Sequence, residues 1–181
     1  MVTIKVVGER EEKARKAIND AFDAISRVDR LLSLYIEGSD VTRINEASGE
    51  GYVEVSSDAL KVIETAIHYS KLTGGAFDPS IGPLIHLWNF DTGEGHLPDP
   101  EEVIWELAKV DYRKIMVNQD KREVMLSHKG MRLDLGGAAK GYAVDVTLEV
   151  LRRHSIKSAI IDVGMSSMRV LGIKPTGELW R

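Results

Sequence analysis

The chain has 181 residues, a formal net charge of −4 at pH 7 and no cysteine. Its length suits one well-buried core and is short for two independent domains, so we expect a single domain over residues 1–181. The composition excludes disulfides, thiolate catalysis and cysteine metal sites, and the absence of a basic stripe argues against nucleic acid as a partner.

The sequence offers no membrane-spanning or secretory segment. No apolar run approaches the roughly 20 residues that a membrane helix needs. The N-terminus from Met1 alternates like a strand and lacks the apolar core of a signal peptide. As given, the chain is expected to be cytoplasmic. It would be exported or membrane-anchored if a leader had been removed.

The first half of the chain alternates between strand and helix patterns. Residues 3–7 predict a strand, and apolar residues at helical spacing predict a helix over Glu11–Leu32. The polar, turn-rich residues 33–50 predict a surface loop, and loops of that length are often functional. Residues 52–55 predict a short strand, after which Ser57 or Asp58 would cap a second helix that stops near Gly74.

The second half begins with an irregular stretch. Periodicity is lost over residues 75–98, and Trp88 is expected in the core, as is Trp105. Asp99 then opens a helix, with Pro100 at its first position and Glu102 completing a capping box. The remaining predicted elements are a hairpin of 115–117 with Glu123–Leu126, a strand at 131–135, a helix from 139 to about 154, and strands at Ala159–Val163 and 168–171.

This element order predicts an α+β protein in layers, with a mostly antiparallel or mixed sheet and packed helices. The last residues, 177–181, look like the entry into a strand that has no continuation. We therefore expect that the chain stops before the fold does, leaving an unpaired sheet edge. Such an edge invites association between chains, so a homo-oligomer is expected as a possible state.

Residues 132–145 combine a predicted strand, a Gly-Gly break, Lys140 and a helix. A strand that breaks at glycines before a helix directs unpaired backbone N–H groups at one point, which suits a phosphate, and Lys140 adds a positive charge. Asp134 at the strand end could orient a polar ligand group or help to hold a divalent ion. A plain β–turn–α connection is the simpler alternative, because neither the P-loop nor the dinucleotide fingerprint is matched.

Two further segments carry candidate ligand contacts. Asp78 precedes Pro79 and is therefore held in extended backbone, and such rigid placement suits a ligand contact. An ordinary Asp-Pro turn is the alternative. Tyr35 could stack on a planar ligand such as adenine or isoalloxazine, or could be a half-buried tyrosine at a helix end. The five histidines have no zinc-ligand spacing.

These segments occur in a characteristic order. The pieces are Leu-Ser-Leu-Tyr at 32–35 with Ser39-Asp40-Val41 and Ile44-Asn45, Thr73 to Leu84 with Leu87-Trp88-Asn89-Phe90, Asp134 to Asp145, and Asp162-Val163-Gly164 leading to Leu171-Gly172 and Trp180. Together they resemble the ApbE family, the flavin transferases that attach FMN to proteins. The resemblance covers essentially all 181 residues.

The resemblance implies an FAD:protein FMN transferase that needs Mg²⁺. Such an enzyme splits FAD at its pyrophosphate, moves the FMN phosphoryl group to a Thr or Ser hydroxyl of an acceptor protein, and releases AMP. Two alternatives stay open: an FAD pyrophosphatase, in which water replaces the acceptor hydroxyl, and a non-catalytic FAD-binding protein.

The resemblance also implies ligand residues but no general base. The expected FAD contacts are Met1, Tyr35, Ala76, Phe77, Asp78, Asp134 and Lys140, and the Gly137 carbonyl would be one Mg²⁺ ligand. The chain has Gly164-Met165 where the family usually has Gly-Gly. The family's Asp and Thr or Ser that complete the metal site would follow Trp180, so we expect weak metal binding and little transferase activity from these 181 residues alone.

Overall fold

The structure is a computed structural model that describes residues 1–89, 95, 97–174 and 176–180. In chain order, its elements are β1 (Val2–Val6), α1 (Glu11–Leu32), α2 (Asp40–Glu46), β2 (Val53–Glu54), α3 (Ser57–Leu72), α4 (Gly82–Trp88), α5 (Pro100–Leu107), a 3₁₀ turn (Tyr112–Lys114), β3 (Ile115–Asn118), β4 (Glu123–Leu126), α6 (Gly136–Arg153), β5 (Ala159–Val163) and β6 (Ser167–Leu171). Helices with antiparallel sheets confirm the predicted α+β class.

The chain forms two compact units, one of Met1–Arg30 with Ala138–Arg181 and one of Leu31–Gly137. The first unit holds an antiparallel sheet in the order β1-β5-β6, in which Val2 pairs with Val163. Apolar side chains of α1 and α6 pack with those of the sheet because burial of their apolar stripes drives helix–sheet layering. The buried members of this core include Ala17, Ala21, Val144, Leu148, Leu151, Ile156, Ala159 and Ile161.

The second unit holds a smaller antiparallel sheet in the order β2-β4-β3. The β3–β4 hairpin confirms the predicted hairpin, and Ile115 pairs with Leu126 in it. Its buried apolar side chains come from helices, strands and the chain before α6: Val41, Ile44, Val55, Ala59, Val62, Ile63, Ala66, Ile115, Val124, Leu126, Met131, Leu133 and Leu135.

Capping side chains decide where several helices begin. The Ser39 hydroxyl accepts a hydrogen bond from the Thr42 N–H at the start of α2, and Ser56 does the same for Ala59 in α3. Ser56 therefore caps α3, rather than Ser57 or Asp58. The predicted capping box of Asp99 and Glu102 is present at α5. Across the described ranges, no helix has both the length and the apolar character needed to cross a membrane.

Four further sequence-based expectations about local structure are wrong. The predicted loop 33–50 contains α2, and residues 82–88 form α4, where regular periodicity was not expected. The predicted strand 131–135 is extended chain with a single parallel bridge between Arg132 and Ile81. Trp105 is 73% exposed and so is no core residue. Phe90, part of one motif, lies outside the described residues.

Candidate functional site

The extended segment 132–134 carries Asp134 toward the start of α6. The Gly82 N–H donates to the Arg132 carbonyl at 3.2 Å, and the Asp134 N–H donates to the Pro79 carbonyl at 2.8 Å. Between them, both backbone groups of Leu133 bond to the side chain of Asn45. The segment thus has hydrogen-bond partners on both edges, as a strand in a sheet would.

The start of α6 is built by Asp134 and two glycines. The Asp134 Oδ1 accepts the Gly136 N–H at 2.7 Å. Gly136 and Gly137 are therefore the first two residues of the helix, not a break before it. A Cβ on Gly137 would lie 2.9 Å from Phe77 Cε2, closer than real Cβ atoms come. Glycine at 137 lets the Phe77 ring approach the helix backbone, so two predicted ligand residues lie in contact.

The Asp78 carboxylate accepts three hydrogen bonds from the protein itself. Its Oδ1 accepts the Ser80 N–H at 2.8 Å and the Ser80 hydroxyl at 2.6 Å, and its Oδ2 accepts the Tyr112 N–H at 2.9 Å. The buried Ser80 hydroxyl in turn accepts the Asp111 N–H at 2.8 Å. A hydrogen bond from the Arg113 side chain lowers the pKa of Asp111, whose backbone N–H belongs to this network.

Tyr35 and Asp134 line the same cavity, which has a volume of about 180 Å³. His86 of α4 and Arg132 add two nitrogen-bearing side chains to its wall. Sequence reasoning missed both of these residues. Arg132 stands two positions before Asp134, and alternation along an extended segment was the available signal that their side chains share a face.

Met1 and Lys140 both lie beside the turn between β5 and β6 in the first unit. The Gly164 N–H donates to the Met1 carbonyl at 2.9 Å, and a Cβ on Gly164 would lie 3.6 Å from Lys140 Cδ. Met165 has a φ of 56°, in the left-handed region that costs a non-glycine residue about 1 kcal/mol. The Asp162 carboxylate accepts the Met165 N–H at 3.0 Å and holds this conformation.

The expected ligand residues therefore form two groups. In the second unit, Tyr35 shares a cavity with Asp134, and the exposed Ala76 adjoins Phe77, which contacts Gly137. In the first unit, Met1 and Lys140 flank the β5–β6 turn. That all of them bind one ligand stays a prediction.

The available oxygen donors can be tested against Mg²⁺. Within the part of the chain that the structure describes, no group of three or more His, Cys, Asp or Glu could hold a metal by itself. Near the start of α6, the hard oxygen donors are the Asp134 carboxylate and the Gly137 carbonyl. Mg²⁺ is commonly bound by one or two protein oxygens together with waters and substrate phosphates. That Mg²⁺ binds these oxygens together with a pyrophosphate stays a prediction.

Comparison with known proteins gives consistent matches. Residues 1–181 match the model of the ApbE family. The FAD:protein FMN transferase of Treponema pallidum is 29% identical over 163 residues, which are 87% of this chain and 45% of the relative. One of those from Klebsiella pneumoniae is 33% identical over 143 residues, which are 79% of this chain and 45% of the relative. The chain spans about half the length of the curated relatives it matches.

Solved structures agree with this result. The flavin transferase ApbE from Vibrio cholerae superposes with a TM-score of 0.88 at 25% identity, covering 99% of this chain and 58% of that one. The ApbE protein from Thermotoga maritima gives a TM-score of 0.87 at 27% identity, covering 97% and 57%. With its whole length matched by the family model, the chain belongs to the ApbE family.

Proposed function

We propose that this protein is an FAD:protein FMN transferase, which moves FMN from FAD to a Thr or Ser hydroxyl of an acceptor protein and releases AMP. The observation that carries the proposal is the start of α6, where Asp134 bonds to Gly136 and Phe77 packs against Gly137. Membership of the ApbE family, whose curated relatives are named for this transfer, supports the same activity.

The first turn of α6 would bind the phosphates of FAD. The Gly136 N–H is already bonded to Asp134, but the next N–H groups of a helix's first turn also have no partner within the helix and lie at its positive end, so they attract anions. Lys140, in the second turn of the same helix, would add a positive charge for the pyrophosphate.

Aromatic and acidic side chains would hold the rest of the ligand. Phe77 and Tyr35 would pack against flat ring systems, for which the 75% exposed Tyr35 ring is accessible. Asp134 has one carboxylate oxygen on Gly136 and a second to offer. Asp78 has three donors already, so its remaining capacity would serve one ligand group. Ala76 would add a packing contact beside Phe77, and Met1 stays an expected FAD contact.

The transfer exchanges one phosphorus–oxygen bond for another. The acceptor hydroxyl oxygen bonds to the FMN phosphorus while the bond from that phosphorus to the oxygen of the AMP phosphate breaks. The hydroxyl proton is lost, and we assign no general base. Mg²⁺, held by the Gly137 carbonyl and the Asp134 carboxylate, would neutralise charge on the pyrophosphate. The chain's own part is positioning, which such reactions mainly require.

The test is to incubate the purified protein with FAD, Mg²⁺ and a protein substrate of one of the curated relatives. The proposal requires covalently flavin-labelled acceptor, seen by in-gel fluorescence and intact mass, together with one AMP per label, even at the low yield that the sequence leads us to expect from residues 1–181. Chelation of the metal with EDTA should stop the reaction. Free FMN and AMP without label would instead establish an FAD pyrophosphatase. Bound FAD without any turnover would establish a non-catalytic flavin-binding protein.

A further inference from the structure

Asn45 of α2 holds a residue that is 88 positions away in the sequence. Its Nδ2 donates to the Leu133 carbonyl at 3.1 Å, and its Oδ1 accepts the Leu133 N–H at 2.6 Å. One side-chain amide thus satisfies both backbone groups of one residue. Leu133 is buried, so unpaired backbone groups there would carry the full cost of desolvation.

The amide takes the place of a neighbouring strand. On the other edge of the segment, the Arg132 carbonyl and the Asp134 N–H bond to Gly82 and Pro79. Successive residues of extended chain direct their backbone groups to opposite edges, so Leu133 faces away from residues 79–82. A carboxamide carries the same donor and acceptor as a peptide group, and Asn45 therefore completes a two-sided ladder at one residue.

This ladder ends at Asp134, whose side chain bonds to the first residue of α6. Asp134 follows Leu133 directly, and its carboxylate accepts the Gly136 N–H. Any shift of Leu133 would be passed to the Asp134 side chain and to the first N–H groups of the helix. We propose that Asn45 is a positioning residue for FAD binding, acting through Leu133 on Asp134 and the start of α6. This inference rests on the proposed function, because it takes the start of α6 as the FAD phosphate site.

A purely structural role would act differently, and the chain offers a matched control. Ser48, just past the end of α2, donates its hydroxyl to the His128 carbonyl at 2.9 Å, and the Gly49 N–H donates to the Leu126 carbonyl at 2.9 Å. These two bonds also tie the end of α2 to the chain that leads to Leu133, but they do so five or more residues before Leu133. Ser48→Ala removes a buried tie of comparable kind and leaves both bonds of Asn45 in place.

The experiment compares Asn45→Ala, Asn45→Asp and Ser48→Ala with the parent protein. FAD affinity is measured without metal by quenching of flavin fluorescence, and the melting temperature is measured on the same samples. Asn45→Asp keeps an acceptor for the Leu133 N–H but sets a carboxylate against the Leu133 carbonyl. It therefore disturbs the two hydrogen bonds between Asn45 and Leu133 while keeping the side-chain volume. Amide hydrogen exchange over residues 131–137 reports these two bonds independently of any ligand.

We expect both Asn45 variants to raise the dissociation constant for FAD about tenfold and to speed hydrogen exchange at the Leu133 amide. A tenfold loss of affinity is the size of effect that one or two hydrogen bonds give. For Ser48→Ala, the dissociation constant for FAD should stay within about twofold of the parent value, although its melting temperature falls about as much as in the Asn45 variants. Parental FAD affinity in either folded Asn45 variant would overturn the inference. So would equal loss of affinity in Ser48→Ala and Asn45→Ala.

Failure of the two proposals can be told apart. A parent protein that does not bind FAD would overturn the proposed function, and the ligand role of Asn45 with it, whatever the exchange data show. A parent that binds FAD, with Asn45 variants that bind equally well, would overturn the inference alone. The transferase assay uses only the parent protein, so it tests the proposed function without reference to the Asn45 and Ser48 variants.

Discussion

At the scale of single residues, Asp78 organises its surroundings as well as offering a ligand contact. Asp78→Ala would leave the Ser80 hydroxyl and two backbone N–H groups without their acceptor. We expect a fall of about 1–3 kcal/mol in the free energy of unfolding, measured by urea denaturation, and a comparable weakening of FAD binding. Asp78→Asn keeps one acceptor oxygen and should lose less of both. Equal FAD affinity in Asp78→Ala and the parent would remove this residue from the ligand site.

Lys140 differs from Asp78, because we expect its side chain to contribute little to stability. Its side chain is exposed and forms no ion pair with any residue in the described ranges. We expect Lys140→Ala to change the free energy of unfolding by less than about 0.5 kcal/mol while weakening FAD binding or slowing turnover. Lys140→Met keeps the aliphatic stem beside Gly164 and isolates the charge. Several degrees lost in melting temperature with normal activity would show that the residue is structural.

Sequence reasoning reached the residues whose signal is local. Asp78 before proline, Asp134 before the glycines, and Lys140 after them are visible in a short window. Long-range contacts were not predictable, because Tyr112 reaches Asp78, and Asn45 reaches Leu133 beside Asp134, only through the fold. His86 was missed for the same reason, since a shared cavity wall leaves no pattern in its segment, whereas the alternation of Arg132 with Asp134 was a local signal that was not used.

At the scale of elements, Gly137 and Gly141 of α6 have different surroundings. A Cβ on Gly141 meets nothing within 4 Å, whereas one on Gly137 meets Phe77 at 2.9 Å. We expect Gly141→Ala to stabilise the protein by about 0.5–1 kcal/mol without changing FAD affinity, because alanine lowers the entropy lost on helix formation. Gly137→Ala should displace the Phe77 ring and weaken FAD binding.

Both variants are measured by thermal unfolding and by FAD titration. The pair serves as its own control, since the same substitution is made four residues apart in one helix. Parental FAD affinity in Gly137→Ala would show that the contact with Phe77 has no part in ligand binding. A fall in affinity of equal size in Gly141→Ala would point to the helix as a whole instead.

The elements that the sequence predicted well have either a long apolar repeat or a complete capping motif. The 22 residues of α1 repeat their apolar positions over six turns, and α5 has a full capping box. The seven-residue helices α2 and α4 are too short for such a repeat to stand out. Their signals were Ser39 before Thr42 and Pro83 at the first turn, which also fit turns. The segment 131–135 is extended, as the predicted strand would be, but its partner on one edge is a side chain.

At the scale of the whole molecule, the two compact units pose the question of domain number. Domain boundaries usually fall in exposed, flexible linkers. Here the chain passes from one unit to the other between residues 30 and 31, inside α1, and between 137 and 138, inside α6. A helix that unfolds in one unit would lose hydrogen bonds that continue into the other, because each turn bonds to the next. We therefore propose one folding domain.

The prediction is a single cooperative unfolding transition. Calorimetric and van't Hoff enthalpies should agree, and circular dichroism should give the same midpoint as calorimetry. Saturating FAD should raise that one midpoint, because a ligand that binds only the folded state stabilises everything that unfolds with its site. Two resolved transitions, with FAD raising only one of them, would make the units separate domains. That result would also identify which of the two groups of expected ligand residues binds the flavin nucleotide, since only the unit that carries the site would gain stability.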